Sequence, residues 1–500
     1  MLKFQGFEGA TIDFLSATDA WFARLFFERG VAFLYLVAFV SALNQFPALL
    51  GEKGLLPVPD FLQGRTFREL PSLFHWRYSD RLFKGVAWIG IVLSAVMLLG
   101  IVSAAPQGVS MLVWLILWFF YLSIVDVGQT FYSFGWESML LEAGWFAAFL
   151  SPAWMAPSII PLLILRWMLF RVEVGAGLIK LRAGGVWLDL TALDYHHETQ
   201  PMPNPLSRYA HHFPRWILHG GVVFSHVVQA AVPFGLFLPQ PFAGVAAALI
   251  ISHQLLLIVF GNYAWLNALT IVLAFAALPG AWLSAVVPLA EPAVLAPRPL
   301  WWDVGLIALA GWTLYLSVPA AKNLCSKKQL MNYSFNAWHL VNAYGAFGSV
   351  NKIRYEIIIE GTRAEEPAAD SAEWQAYEFK GKPGRLSRRP PMVAPYHLRL
   401  DWLMWFLPFS VFVTPRGISK SGYEPWFIRL MEQLLRGDRA TIRLLKETPF
   451  PDEPPRYVRA RFYRYRFTSR AERRESGNIW HRTLVDEYLP PLDLESIPWR

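Results

Sequence analysis

Apolar runs long enough to cross a lipid bilayer recur through the first 320 residues, and that recurrence limits the possible folds more than any other feature. Inside hydrocarbon every backbone N–H and C=O needs an internal partner, so such runs must fold as helices. Periodicity places nine spans, at about residues 29–48, 84–103, 110–126, 134–150, 157–177, 216–238, 243–260, 266–288 and 303–320. Composition agrees: 55% of residues are hydrophobic and 16% are charged. The fold class expected is a polytopic α-helical membrane protein followed by a β-rich soluble domain. Residues 1–27 read as an amphipathic lead-in whose Phe14, Leu15, Trp21, Phe22 and Phe26 lie at the membrane interface. Asp13, Asp19, Arg24 and Glu28 precede the first run, so that run is expected to remain as a span rather than leave as a signal peptide. The aromatic loop after it is expected to pack on the spans.

Charge inside the apolar region is concentrated between Arg166 and Trp216. Arg166, Glu173 and Lys180 are seven residues apart and share one face if the helix runs through them. Such a stripe is costly in lipid and should face protein or a polar cavity. Two readings stay open: an ion-pair ladder locking neighbouring helices, or a reactive or ligand-binding site. Glu137 and Glu142 lie about 140° apart around their helix, so they need separate partners, with Arg166 or Arg171 the candidates. Gly175, Ala176 and Gly177 permit close backbone approach.

The loop 182–214 should break at Gly184 and Gly185, re-enter as a short helix at Trp187–Leu193, and run extended through Pro201, Pro203 and Pro205. It carries Asp194, His196, His197, Glu198, His211 and His212. Their spacing matches no metal-binding pattern, so a hydrogen-bonded cap is expected and no metal. His226 and His253 should be satisfied by Gln229 and Gln254. Lys180 could snorkel, pair with Glu173 or Asp189, or lose its proton on burial and act as a base. No catalytic Ser-His-Asp order, phosphate loop or kinase signature is present, and no inverted repeat points to a transporter.

After Ala321 the apolar runs shorten. Lys352–Thr362, Trp374–Lys380 and Arg456–Phe467 alternate like strands, the last with a basic face. Trp402–Phe412 is apolar but too short to span, and Trp426–Leu445 reads as an amphipathic helix. The domains expected are a membrane unit, 1–320, and a basic C-terminal unit, 321–500. The second holds 29 of the 45 Lys/Arg and 20 of the 37 Asp/Glu. Its excess charge suits anionic lipid headgroups or an acidic partner, and no nucleic-acid motif accompanies it. The positive-inside rule would put it in the cytoplasm. The single cysteine, Cys325, excludes an internal disulfide and a CxxC redox pair.

Several blocks carry a resemblance: FYSFGWESMLLEAG, RWMLFRVEVGAGLIKLR, WLDLTALDYHHETQPMPNPLSRYAHH, GNYAWLN, NAYGAFGSVNKIRYEIIIEGT and WHRTLVDEYLPPLDL. Together they are similar to the lipase maturation factor family. The resemblance implies a multi-pass membrane protein that helps secreted lipases reach their active form, in the endoplasmic reticulum in animals. It implies an exported client protein, a lipase among animal members; membrane lipids are the other partners expected, and no cofactor is expected. It also implies an extracytoplasmic C-terminal domain, which overrides the loop-charge count. The lone cysteine and the lack of a retention-like tail read as a bacterial inner-membrane relative. The polar cavity is expected around Glu137, Glu142, Arg166, Arg171, Glu173 and Lys180, roofed by the His-rich loop, with the client held on the strand Arg456–Phe467. GAGLIKL is also similar, over a few residues, to the membrane domain of vitamin K-dependent carboxylases, which makes Lys180 a candidate catalytic base in an alternative, enzymatic reading.

Overall fold

The computed structural model describes residues 13–287, 289–415 and 417–497; the lead-in before residue 13 lies outside them. The main helices are α1 (Trp21–Leu50), α2 (Asp80–Leu99), α3 (Gln107–Asp126), α4 (Gly135–Ala147), α5 (Ile159–Ala183), α6 (Ala192–Thr199), α7 (Arg215–Ala230), α8 (Phe242–Phe260), α9 (Leu266–Ala274) and α10 (Leu300–Cys325). Among the described residues, six helices are long and apolar enough to cross a bilayer: α1, α2, α3, α7 with its 3-10 extension to Phe237, α8 and α10.

The other three expected spans differ. Helix α4 has 13 residues, which at the α-helical rise is about 20 Å against a hydrocarbon core of about 30 Å. Helix α9 continues only as a 3-10 turn to Ala277 before Pro279. Helix α5 has ample length, at 25 residues, and runs unbroken through Gly175 and Gly177. It carries more charge than the six, and its Arg171, Glu173 and Lys180 are all buried in protein rather than turned to lipid. The lead-in also differs: Trp21 and Phe22 open α1 itself and are buried, with Trp21 Nε1 donating to the Ala153 carbonyl at 2.8 Å. The loop after α1 does pack on the bundle, where Ser72 Oγ donates to the Ser123 carbonyl at 2.9 Å.

Local chemistry sets the helix ends. Ser79 Oγ accepts from Leu82 N at 3.2 Å to start α2, and Gly100, at φ 81°, ends it. Ser158 caps α5, and Gly184 (φ 67°) and Gly185 (φ 52°) break the chain where expected.

The C-terminal region contains β1 (Arg354–Thr362), β2 (Gln375–Ala376), β3 (Val411–Thr414), β4 (Gly417–Lys420), β5 (Tyr457–Phe467) and β6 (Trp480–Leu492). Four form an antiparallel sheet ordered β2-β1-β5-β6, and β3-β4 form a separate hairpin. Helices α11 (Arg399–Phe406) and α12 (Pro425–Leu435) pack beside them. The expected strand Trp374–Lys380 contracts to two residues, because the chain leaves β1 at Glu378 to bridge Glu447. The expected helix Trp426–Leu445 stops at Leu435: Gly437 adopts φ 62°, and Asp438 caps a new turn at Thr441 N, 2.7 Å away. Strand β6, 13 residues long, was not foreseen.

The basic strand lies between β1 and β6 in the sheet. Arg459 meets Glu360 at 2.8 Å and Arg466 meets Glu472 at 2.5 Å, whereas Arg456 and Arg464 are exposed. One hydrophobic core runs continuously from α1 and α3 into α11, α12 and β5, so bundle and C-terminal domain pack as one body.

Candidate functional site

A cavity of about 780 Å³ lies where α5, α7, α8 and α9 meet α6 and α11. Most of its wall is apolar, with Phe134, Trp136, Phe224, Phe260, Trp402 and Phe406 among the residues that form it. Its polar groups are few and convergent, as in small-molecule sites. Glu173 and Lys180 enter from α5, Gln229 from α7, His253 and Gln254 from α8, and His196 and His197 from α6.

Of the sequence-predicted residues, the structure brings Glu173, Lys180, His196 and His197 together on this wall. Lys180 Nζ donates to Gln229 Oε1 at 2.5 Å and sits 4.7 Å from the centre of the Trp187 ring. Glu173 Oε1 accepts from Gln254 at 2.7 Å. The ion-pair ladder is thus not formed: amides, not opposite charges, are the direct partners of Lys180 and Glu173. Arg166 leaves the stripe and donates to the carbonyls of Ala276 (2.9 Å) and Leu236 (3.3 Å). Those glutamines are consequently not the partners of the nearby histidines. His226 Nε2 bonds the Trp187 carbonyl at 3.1 Å, and His253 Nδ1 has no partner.

The remaining predicted acids and arginines build walls rather than line the cavity. Glu142 pairs with Arg171 and also accepts from Asn342 N (2.9 Å), Asn342 Nδ2 (3.0 Å) and Tyr344 OH (2.8 Å). Arg171 Nη1 closes the ring on the Asn342 carbonyl at 2.7 Å. Glu137 pairs with Arg399 at 2.7 Å, with His397 Nδ1 at 3.5 Å. The two glutamates do take separate partners, but Glu137 finds its own in the C-terminal domain. Arg399 also stacks 3.4 Å from the Tyr132 ring centre and donates to the Phe131 carbonyl at 2.8 Å. The sequence reading missed Arg399, Asn342 and Tyr344; an arginine inside the apolar run PYHLRLDWLMWF was the available signal.

The His-rich loop forms its short helix later than expected, at α6, after a 3-10 turn at Gly185–Trp187. His196 Nε2 lies 2.7 Å from Tyr263 OH, which donates to Gln200 Oε1 at 2.6 Å. Because the phenol's one proton goes to Gln200, His196 supplies the Nε2 proton. Burial first, then the Lys180 charge, pushes His196 down to about 4. Burial pushes His197 to about 3 and His211 to about 4. All three are neutral at pH 7. Glu198 Oε2 accepts from Phe467 N at 2.7 Å and faces His211 at 3.6 Å, and burial raises its carboxyl. Asp194 faces His219 at 3.6 Å, and His212 Nδ1 lies 2.7 Å from the Arg208 carbonyl. The Glu198 bond ties the loop to β5, the Asp194 contact ties it to α7, and the His212 contact lies within the loop. Among the described residues no group of three or more His, Cys, Asp or Glu is placed to hold a metal ion.

Small residues set the spacing of the walls. A Cβ on Gly175 would stand 2.2 Å from the Tyr344 carbonyl oxygen, and one on Gly177 would stand 2.9 Å from the Gln229 backbone. GNYAWLN acts as a clamp: Asn262 Oδ1 accepts from Val393 N (2.8 Å) and Ala394 N (3.0 Å), and Nδ2 donates to Pro391 O (2.9 Å) and Pro203 O (3.3 Å).

The fold and this cavity define a class: a multi-pass integral membrane protein whose helical bundle encloses a large apolar chamber that α11 and the segment 344–351 of the C-terminal region help to line. The chain belongs to the lipase maturation factor family. The family model described as lipase maturation factor transmembrane domain matches residues 22–285, and that described as lipase maturation factor C-terminal domain matches residues 340–490. The chain is similar to lipase maturation factor 1 of Homo sapiens, 38% identical over 95% of this chain and 89% of the relative. It is similar to the Mus musculus protein, 38% identical over 95% and 88%, and to lipase maturation factor 2 of Gallus gallus, 29% identical over 94% and 81%. No solved structure matches it significantly.

Proposed function

We propose that this protein is a membrane-embedded maturation factor that brings an exported lipase to its active fold. The observation that carries the reading is the similarity to lipase maturation factor 1 along 95% of the chain, through both the bundle and the C-terminal domain. The interlocking of the two regions through Glu137–Arg399 and Glu142–Asn342 supports a single working unit built from a membrane part, 1–320, and a C-terminal part, 321–500. The carboxylase-like alternative, with Lys180 as base, has no counterpart among these relatives, and Lys180 is assigned a binding role in the cavity with Glu173, His196 and His197. We propose an extracytoplasmic C-terminal domain, on the side where an exported client would fold.

Deletion of the gene in its host, with each secreted lipase followed by both immunoassay and activity, tests the role. Specific activity should fall at least fivefold and return with the wild-type gene; unchanged specific activity for every secreted lipase would refute it. Orientation has a built-in reporter, because Cys325 is exposed at the end of α10. A membrane-impermeant maleimide should label it in intact spheroplasts. Labelling only after lysis would reverse the topology.

A further inference from the structure

We propose that the cavity is a binding site for a single-chain lipid with a hydroxylated head, admitted sideways from the bilayer. The inference does not depend on which client the protein serves. Three observations carry it. First, the chamber holds buried polar atoms that no protein group satisfies: Glu173 Oε2, His253 Nδ1 and His197 Nδ1 have no hydrogen-bond partner, although their residues are 0%, 4% and 7% exposed. Unpartnered buried polar atoms are expensive, and three facing one chamber mark the place of a ligand's polar end. Second, the groups differ in kind. The Lys180 ammonium has donors left after serving Gln229, Glu173 is an acceptor, and each histidine offers one ring nitrogen. A head that both donates and accepts, a hydroxyl, satisfies this set. A bare carboxylate would face Glu173 across the same space.

Third, the chamber has an apolar edge. Ile217 on α7, Leu256 on α8, and Phe213 and Phe409 beside them line the cavity and are also 37–47% exposed. Helices α7 and α8 are candidate spans, so their outer faces meet acyl chains. A molecule passing this edge comes from the hydrocarbon and leaves its chain against Phe224, Leu257 and Phe260. A volume of about 780 Å³ lies within the range of small-molecule sites.

The test uses the full chain in phosphatidylcholine nanodiscs with a monoacylglycerol carrying a diazirine in its acyl chain. Photolysis should label peptides covering residues 213–225 and 253–260. Excess 1-monooleoylglycerol should cut that labelling at least tenfold, whereas methyl oleate, which lacks hydroxyls, and glycerol, which lacks the chain, should not. Lys180→Met should weaken competition by monooleoylglycerol about tenfold while the protein elutes as the same monodisperse peak. The wild-type arms stand alone if that variant misfolds. Equal competition by methyl oleate overturns the head assignment, and equal competition by glycerol overturns the chain assignment. Labelling spread over the outer faces of the bundle, or none, means that water fills the chamber and overturns the site.

Discussion

Arg399→Met is expected to loosen the C-terminal domain from the bundle. Arg399 is fully buried, donates to Glu137 Oε1 at 2.7 Å and to the Phe131 carbonyl at 2.8 Å, and covers the Tyr132 ring. Methionine restores most of the packing volume but leaves Glu137, also fully buried, without its cation. Removing one partner of a buried pair costs about 3–5 kcal/mol, because the remaining charge stays desolvated. At about 1.4 kcal/mol per decade, the undocked population should rise roughly a hundred- to several-thousand-fold. Hydrogen exchange of residues 396–406 in detergent reads this directly. His397, which burial and Arg399 together push down to about 3, stands 3.5 Å from Glu137 and gains a reason to take a proton once Arg399 is gone. The variant should therefore recover part of its protection as pH falls toward 5. Glu137→Gln with Arg399→Met should be more stable than the sum of the single variants predicts. Unchanged exchange in Arg399→Met, or strict additivity in the double variant, would show that this pair does not hold the domains together.

Asn262→Ala removes four hydrogen bonds at one buried position. With about 1 kcal/mol per net bond, it should destabilise by about 2–4 kcal/mol and open residues 391–394 to protease; an uncut, equally stable variant would refute the clamp. Gly144→Ala should lower yield and melting temperature sharply, because the new Cβ would stand 1.9 Å from Tyr35 OH; a melting temperature within a degree of wild type would show that the neighbouring helices yield easily. The buried histidines set a pH dependence. His196 and His197 ionise near 4 and 3 when folded and near 6.5 when unfolded. Between those values the unfolded chain binds more protons, so stability is complete above about pH 6.5 and falls as the medium is acidified. Melting should drop between pH 7 and 5, and His197→Gln should flatten the slope; an unchanged slope in that variant would locate the titration elsewhere.

The membrane-spanning class was legible because hydropathy is a local property: runs such as Phe242–Phe260 need no tertiary partner to be recognised. Strand alternation in Arg354–Thr362 and Tyr457–Phe467, and the helix stop at Gly184 and Gly185, were legible for the same reason. The blocks around Glu137, Glu142, Lys180 and Tyr344 also carried the family resemblance, and each of these residues bonds to a different segment of the chain. Which residue each one touches was decided only by the tertiary structure. Glu137 and Arg399 are 262 positions apart, and Glu142 and Asn342 are 200 apart. No periodicity links such positions, since an ion pair depends on a distance of a few ångströms and not on spacing along the chain. The same holds for the stripe on α5. Its spacing placed Arg166, Glu173 and Lys180 on one face, but packing sent Arg166 to carbonyls and gave Glu173 and Lys180 to amides from two other helices. The cavity itself is a space left between helices and a docked domain, and the chain contains it only once α7, α8 and α11 have closed around it.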